Sequence, residues 1–307
     1  IEDSIPFFYT MNPKIIIHGG AGRQEGNFNR VIEIQESLKN ILKQSKEVLL
    51  DTNAREAAIF AVKLLEDNQL FNAGTGSKLQ SDGKARMSAS IIDSISNVFS
   101  AVINIEKIRN PIYVASLLKD KKNTILAGEQ ATNFAIESGF KLYDVITDQR
   151  KDEFKRNIMG KTGTVGAVAI DNNGDIAAAT STGGIGGEIA GRVSDCSSVA
   201  GNYANKFAGV SCTGIGEHII NFSVASKIIA KIEENLKLKD VINNIIKEAE
   251  KLQYKFGLIA IDYKGNVVVD KTTELIYYAL DNGNNIEIFD YWSKIKHKAV
   301  VSFITLL

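Results

Sequence analysis

The sequence predicts an α+β protein in which helices cover the outer faces of two stacked sheets. Two observations carry this. The segment GTVGAVAIDNNGDIAAATST (163–182) reads as strand, Asn-Gly turn and strand, and FGLIAIDYKGNVVVDKTTE (256–274) repeats the design around Lys264-Gly265. Neither first strand alternates cleanly between apolar and polar residues, so both faces of each are expected to be covered, and stretches of helical periodicity precede and separate the hairpins. Helix, sheet, sheet, helix packing satisfies this pattern.

From the N-terminus, Lys14 to Ile17 forms a short strand candidate running into His18-Gly19-Gly20-Ala21-Gly22, read as a glycine turn. Val31 to Leu50 spaces Ile34, Leu38, Ile41, Leu42 and Leu49 helically, and Ala54 to Glu66 repeats the pattern with alanines that allow close packing. FNAGTGS then forms a second glycine loop. Phe99 to Ile105 reads as a strand, Pro111 starts a helix at its tolerated first-turn position, and Thr124 to Ser138 offers another helix. Between Gly139 and Gly163 the chain turns polar, with the charge run Asp148 to Arg156, as expected of an exposed, protease-accessible loop. Beyond the first hairpin, His218 to Glu234 and Leu238 to Leu252 supply helices.

The 307 residues, 44% of them apolar, suffice for a large core, and the chain reads as a single domain over 1–307. Acidic and basic residues balance at 36 each, so no global field recruits nucleic acid or an anionic membrane. Only Cys196 and Cys212 occur, too few for a disulfide framework, so a reducing, cytoplasmic setting is the simpler reading and both thiols read as buried spectators. The first ten residues lack a secretory apolar core, Met11 resembles a more natural start, and the apolar tail AVVSFITLL reads as a docked strand rather than an anchor. His18, His218 and His297 fit neither metal nor triad spacing and read as structural or surface residues.

Thr164 stands where a strand begins, directly behind the cleavable-looking stretch. A threonine hydroxyl is a poor nucleophile alone. If Thr164 became a chain terminus, its own α-amino group, with a pKa of about 7.7–8.0, could serve as general base. The alternative is a threonine chosen for β propensity.

The motifs IIIHGGAG, FNAGTGS, GTVGAVAID, AAATSTGG, GRVSD and TGIGE, in this order over residues 14–280, resemble the plant-type L-asparaginase and isoaspartyl peptidase family of N-terminal nucleophile hydrolases. The resemblance implies a four-layer αββα sandwich and self-cleavage between Gly163 and Thr164 into fragments 1–163 and 164–307, helped by the missing side chain of Gly163. It implies hydrolysis of a side-chain amide or isopeptide of aspartate through a threonyl acyl-enzyme. Thr164 matches the nucleophile and Thr182 a supporting hydroxyl, a strand-end cap being the plainer reading of Thr182. Thr213 and Gly214 match the oxyanion-hole pair, and Gly216 lines the same pocket. Arg192 and Asp195 match the residues that read a free amino acid head, a guanidinium fork for the carboxylate and a carboxylate for the ammonium; a local ion pair across a turn is the alternative. Asn72 is expected near the nucleophile, or is an ordinary turn residue. The resemblance further implies no catalytic cofactor, a structural sodium on the backbone of Leu65 to Phe71, although Gln69 replaces a usual proline, and a homodimer.

Departures from the family pattern are Ser88 for a usual aspartate, Ser194 for glycine, Cys196-Ser197-Ser198 for a Ser-Pro run and Gly187-Glu188 for Asn-Lys. These bear on substrate preference. Competing readings are a glycosylasparaginase, a taspase-like threonine endopeptidase, and an unprocessed, inactive scaffold of the same fold.

Overall fold

The computed structural model describes residues 11–23, 27–156 and 163–291. The first strand, β1 (Lys14–Gly22), continues through the HGGAG segment, which is therefore strand and not turn; the register shifts between His18 and Gly20, where Gly20 takes φ +119°. Two helices follow. In α1 (Phe28–Asp51) the Asn27 side chain accepts from the Asn29 and Arg30 amides, and in α2 (Ala54–Asp67) the Asn53 side chain accepts from Glu56, each satisfying amides that a helix start leaves unpaired.

Next come β2 (Met87–Asp93), β3 (Ser100–Ile105) and α3 (Pro111–Leu117), with Pro111 in the first turn as expected. The predicted helix 124–138 opens differently: β4 (Ile125–Ala127) pairs parallel with β3 before α4 (Gly128–Glu137) begins. The charge run is a helix, α5 (Asp148–Lys155), capped by Thr147, and not an open loop.

The first hairpin is β5 (Val165–Ile170) and β6 (Ile176–Thr182), closed by Asp171, whose Oδ1 accepts from the Asn173 and Asp175 amides, and by Gly174 at φ +84°. After it lie β7 (Asn202–Ala204) and β8 (Ala208–Gly214). The predicted helix 218–234 is two helices, α6 (Gly216–Phe222) and α7 (Val224–Glu233), broken at Ser223, which adopts a left-handed conformation. They are followed by α8 (Leu238–Lys251), β9 (Phe256–Asp262), β10 (Val267–Lys271), β11 (Leu275–Asp281) and β12 (Ile286–Ile288). Residues 1–10, His297 and the tail 299–307 lie outside the described residues.

The strands form two sheets, ordered β12-β11-β1-β5-β6-β2-β3-β4 and β10-β9-β8-β7. Three apolar clusters show why β5 and β9 lack alternation. Val165, Ala167 and Ala169 face Leu38, Ala58, Val62 and their neighbours on α1 and α2, whereas Val168 and Ile170 join Ile259 and Ile261 of the other sheet. Phe256, Leu258 and Ala260 turn the opposite way, onto Ile228, Ile242 and Ile245 of α7 and α8. Each strand is thus apolar on both faces, and a fully buried isoleucine contributes about 1.5–3 kcal/mol relative to exposure.

Candidate active site

A cavity of about 810 Å³ opens where β1, β5, β6 and β8 end, and Gly163, Thr164, Thr182, Gly214, Arg192 and Asp195 are all in its lining. Thr164 immediately precedes β5 and is buried. On one side β5 pairs with β6, Val165 opposite Ser181, which carries Thr182 at the strand end; on the other it pairs with β1, Gly166 opposite His18. A Cβ added at Gly163 would meet nothing within 4 Å, so packing does not demand the absent side chain there.

Behind Thr164 lies a buried polar chain that joins the sheets. His18 Nε2 is 2.9 Å from the Ser211 hydroxyl, which is 2.7 Å from the Thr180 hydroxyl. Gly166 leaves the room, since a side chain there would overlap both Ser211 and His18. Burial depresses the imidazole to about 3, the neighbouring Thr164 backbone opposing only weakly, so the ring is neutral; its Nδ1 makes no hydrogen bond of good geometry.

Thr213 and Gly214 end β8. Gly214 has φ +142°, and a Cβ would come 2.6 Å from Phe256 Cα, so only glycine fits. Thr213 is fully buried and lies behind the cavity lining; its Oγ1 accepts from the Ala21 amide at 3.1 Å, which leaves the hydroxyl proton free to donate.

The predicted head-binding pair is arranged differently from a local ion pair across a turn. Arg192 donates through Nε and Nη2 to Glu217, at 2.7 and 2.9 Å, and this bidentate bond holds the Glu217 carboxyl below the usual range. Nη1 is the guanidinium nitrogen that Glu217 leaves over. Sequence reasoning missed Glu217 because nothing in local spacing connects residues 192 and 217. Asp195 is buried between two glycines: a Cβ at Gly201 would come 2.5 Å from its Oδ2 and one at Gly216 2.8 Å from its Oδ1 and 2.6 Å from Arg192 Nη2. Gly216 thus makes room for the pair without being in the lining. Burial pushes the Asp195 carboxyl up to about 7, against the pull of Arg192, and Oδ2 has no hydrogen-bond partner.

Asn72 stands one layer back. Its Nδ2 donates to the Gly184 carbonyl at 2.6 Å and its Oδ1 accepts from the Lys78 amide at 2.9 Å, so it fixes the loop after β6. Arg150, on the helix the sequence did not predict, is buried and donates to the carbonyls of Gly76 and Phe71, tying α5 to the same glycine loop. Glu66 accepts from the Ser181 hydroxyl at 2.7 Å and the Ile112 amide at 3.0 Å, and burial raises its carboxyl to about 8.

Of the departures from the family pattern, Ser88, Ser194 and Cys196 gather into one cluster, whereas Glu188 lies apart, its carboxylate accepting from the Ile185 and Gly186 amides. Cys196 Sγ donates to the Ser88 carbonyl, Ser194 Oγ is 3.1 Å from that sulfur, and Ser88 Oγ accepts from the Asn104 amide. Of these only Ser194 reaches the cavity. Both cysteines are buried and unpaired, and burial pushes the Cys196 thiol up to about 12. Among the described residues no cluster of His, Cys, Asp and Glu could hold a metal ion, and no helix is long and apolar enough to cross a membrane.

The family model described as Asparaginase (Asparaginase_2) matches residues 11–289. The chain is 39% identical over 298 residues to a protein of Nostoc sp. (strain PCC 7120 / SAG 25.82 / UTEX 2576) named isoaspartyl peptidase/L-asparaginase, covering 90% of this chain and 94% of that protein. It is 37% identical to the plant-type L-asparaginase of Pyrococcus furiosus, covering 86% and 95%, and 34% identical to the isoaspartyl peptidase of Escherichia coli (strain K12), covering 86% and 91%.

Proposed function

The chain belongs to the asparaginase family, and on that premise we propose that it hydrolyses the side-chain amide of L-asparagine and the isopeptide bond of β-aspartyl dipeptides through Thr164. The observation that carries this is the meeting of Gly163 and Thr164 with Thr182, Gly214, Arg192 and Asp195 around one cavity. In the intact chain the Thr164 hydroxyl attacks the Gly163 carbonyl; the acyl group shifts from nitrogen to oxygen, and water hydrolyses the ester. This leaves a Gly163 carboxylate and a free Thr164 amine.

In turnover the amine takes the hydroxyl proton as Oγ attacks the side-chain carbonyl. Thr213 and Gly214 receive the oxyanion, the amine returns its proton to the leaving nitrogen, and water releases aspartate from the acyl-enzyme. Arg192 Nη1 takes the substrate carboxylate and Asp195 its ammonium group. Thr182, whose Oγ1 already accepts from the Gly184 amide at 3.1 Å, keeps its hydroxyl proton for orienting the nucleophile.

The same reading takes the three apolar clusters as the seams of a four-layer αββα sandwich and the functional unit as a cytoplasmic homodimer. It assigns a structural sodium to the backbone of Leu65 to Phe71, whose carbonyls are hard, uncharged donors suited to such an ion. Bound there, the ion would stiffen the loop that carries Asn72.

A denaturing gel of purified protein tests the proposal, together with assays of ammonia from L-asparagine and aspartate from β-aspartyl-leucine. Two fragments dividing at Thr164, absent in Thr164→Ala, with both activities following the cut, are expected. A permanently intact and inactive chain would overturn it, and activity confined to glycosylasparagine would reassign the substrate.

A further inference from the structure

The cavity extends to both sides of Thr164, and strand order shows what occupies each side. In the larger sheet β6 flanks β5 on one side, leading to Thr182, Gly184 and the Arg192–Asp195 segment; β1 and then β11 flank it on the other, leading to Arg23 and Glu274. The smaller sheet repeats this order. Gly214 on β8 adjoins Gly216, which touches Arg192 and Asp195, while Lys255 before β9 and Thr272 after β10 lie progressively farther along.

An aspartyl head held by Arg192 and Asp195 presents its side-chain carbonyl to Thr164, so the group that leaves must lie on the far side, among Arg23, Lys255, Thr272 and Glu274. The cavity's volume is in the range that accommodates ligands much larger than one amino acid.

Lys255 has a fixed backbone and a free head. Its amide donates to His218 Nδ1 at 3.0 Å and its carbonyl accepts from the Ile215 amide at 2.9 Å, whereas Nζ reaches only the Thr272 carbonyl, at 3.5 Å. Among the described residues no carboxylate pairs with it, in contrast to Arg192, which carries Glu217. Arg23, exposed, shares the lining with it, and Glu274, the acid in this part of the lining, has a partner of its own. A dipeptide joined through the aspartate side chain carries a free carboxylate on its leaving residue, and a sugar does not.

We infer that Lys255 is a specificity-determining residue that binds the α-carboxylate of the leaving amino acid, which makes β-aspartyl dipeptides with a free C-terminus the favoured substrates. The inference rests on the hydrolase reading above.

The test uses processed protein and compares kcat/KM for β-aspartyl-leucine, its C-terminal amide and L-asparagine. Wild type prefers the acid over the amide by about fivefold, the upper end for an exposed ion pair. Lys255→Gln brings the ratio to about one and leaves asparagine hydrolysis within about twofold, while Lys255→Arg keeps the preference. An acid-to-amide ratio near one in wild type, or one unchanged in Lys255→Gln, overturns the inference while asparagine turnover leaves the hydrolase reading standing. Processed protein that turns over none of the three substrates overturns both.

Discussion

His18 Nε2 and the Ser211 hydroxyl, 2.9 Å apart, join the two sheets directly behind Thr164, and no part of either side chain reaches water. Buried polar groups are costly unless bonded to one another, so the pair rigidifies the strand that Thr164 precedes.

The imidazole titrates near 3 when folded and near 6.5 when unfolded. Its neutral form therefore contributes stability that is present above 6.5 and lost as pH falls toward 3, about 1.4 kcal/mol per pH unit from this one group. Urea unfolding between pH 4 and 7 should show a shallower acid limb in His18→Gln than in wild type; parallel limbs would contradict this.

Gly216 has room for no side chain, with Arg192 Nη2 and Asp195 Oδ1 both within 3 Å of where a Cβ would stand. Gly216→Ala should displace that pair and lower kcat/KM for L-asparagine at least tenfold, a loss of about 1.4 kcal/mol of transition-state stabilisation. Circular dichroism should show an unchanged fold.

Asp195 accepts an ammonium group only when ionised, and its carboxyl stands near 7. Binding of the product L-aspartate should therefore tighten about tenfold from pH 6 to pH 8, following the ionised fraction. Calorimetric titration of the processed protein with L-aspartate at the two pH values would show it, and a flat profile would count against Asp195 as the ammonium site.

Glu66 stands near 8 against an ordinary value of about 4.3. Its neutral form is favoured in the fold, so its contribution is present in full below about 4.3 and is lost as pH rises to and through 8. Glu66→Gln, which stays neutral, should remove that decline, read as urea midpoints that vary less between pH 5 and 9 than those of wild type.

The elements written in local chemistry were the readable ones. The Asp171 to Gly174 turn with its flanking apolar runs marks the β5–β6 hairpin, and the spacing of Leu38, Leu42 and Leu49 marks α1. The strand β2 was not readable. Its sequence MSASIID is small and polar yet wholly buried, because Ser88 and Ser90 bond Asn104 and Cys196 in other segments. Likewise α5 reads as a solvated charge run, and its order comes from Arg150 bonding the carbonyls of Phe71 and Gly76, far away in sequence. The cavity's glycines and threonines were legible as motifs. The Arg192–Glu217 bond, the Ser211 link to His18 and the need for empty space at Gly166 depend on segments that meet only in the folded chain.

The order of strands in the larger sheet, β11-β1-β5-β6-β2, has a kinetic consequence. A cut between Gly163 and Thr164 would leave β1 and β2 on one piece and β5, β6 and β11 on the other, interlaced rung by rung. The two pieces could part only by unzipping three ladders, so the nicked protein would persist as an inseparable pair. Once denatured, it would have to regain its shape by collision of two chains, with a rate that rises with concentration, whereas the uncut chain refolds at a rate independent of it. Cleavage at this bond would thus make assembly a one-way event.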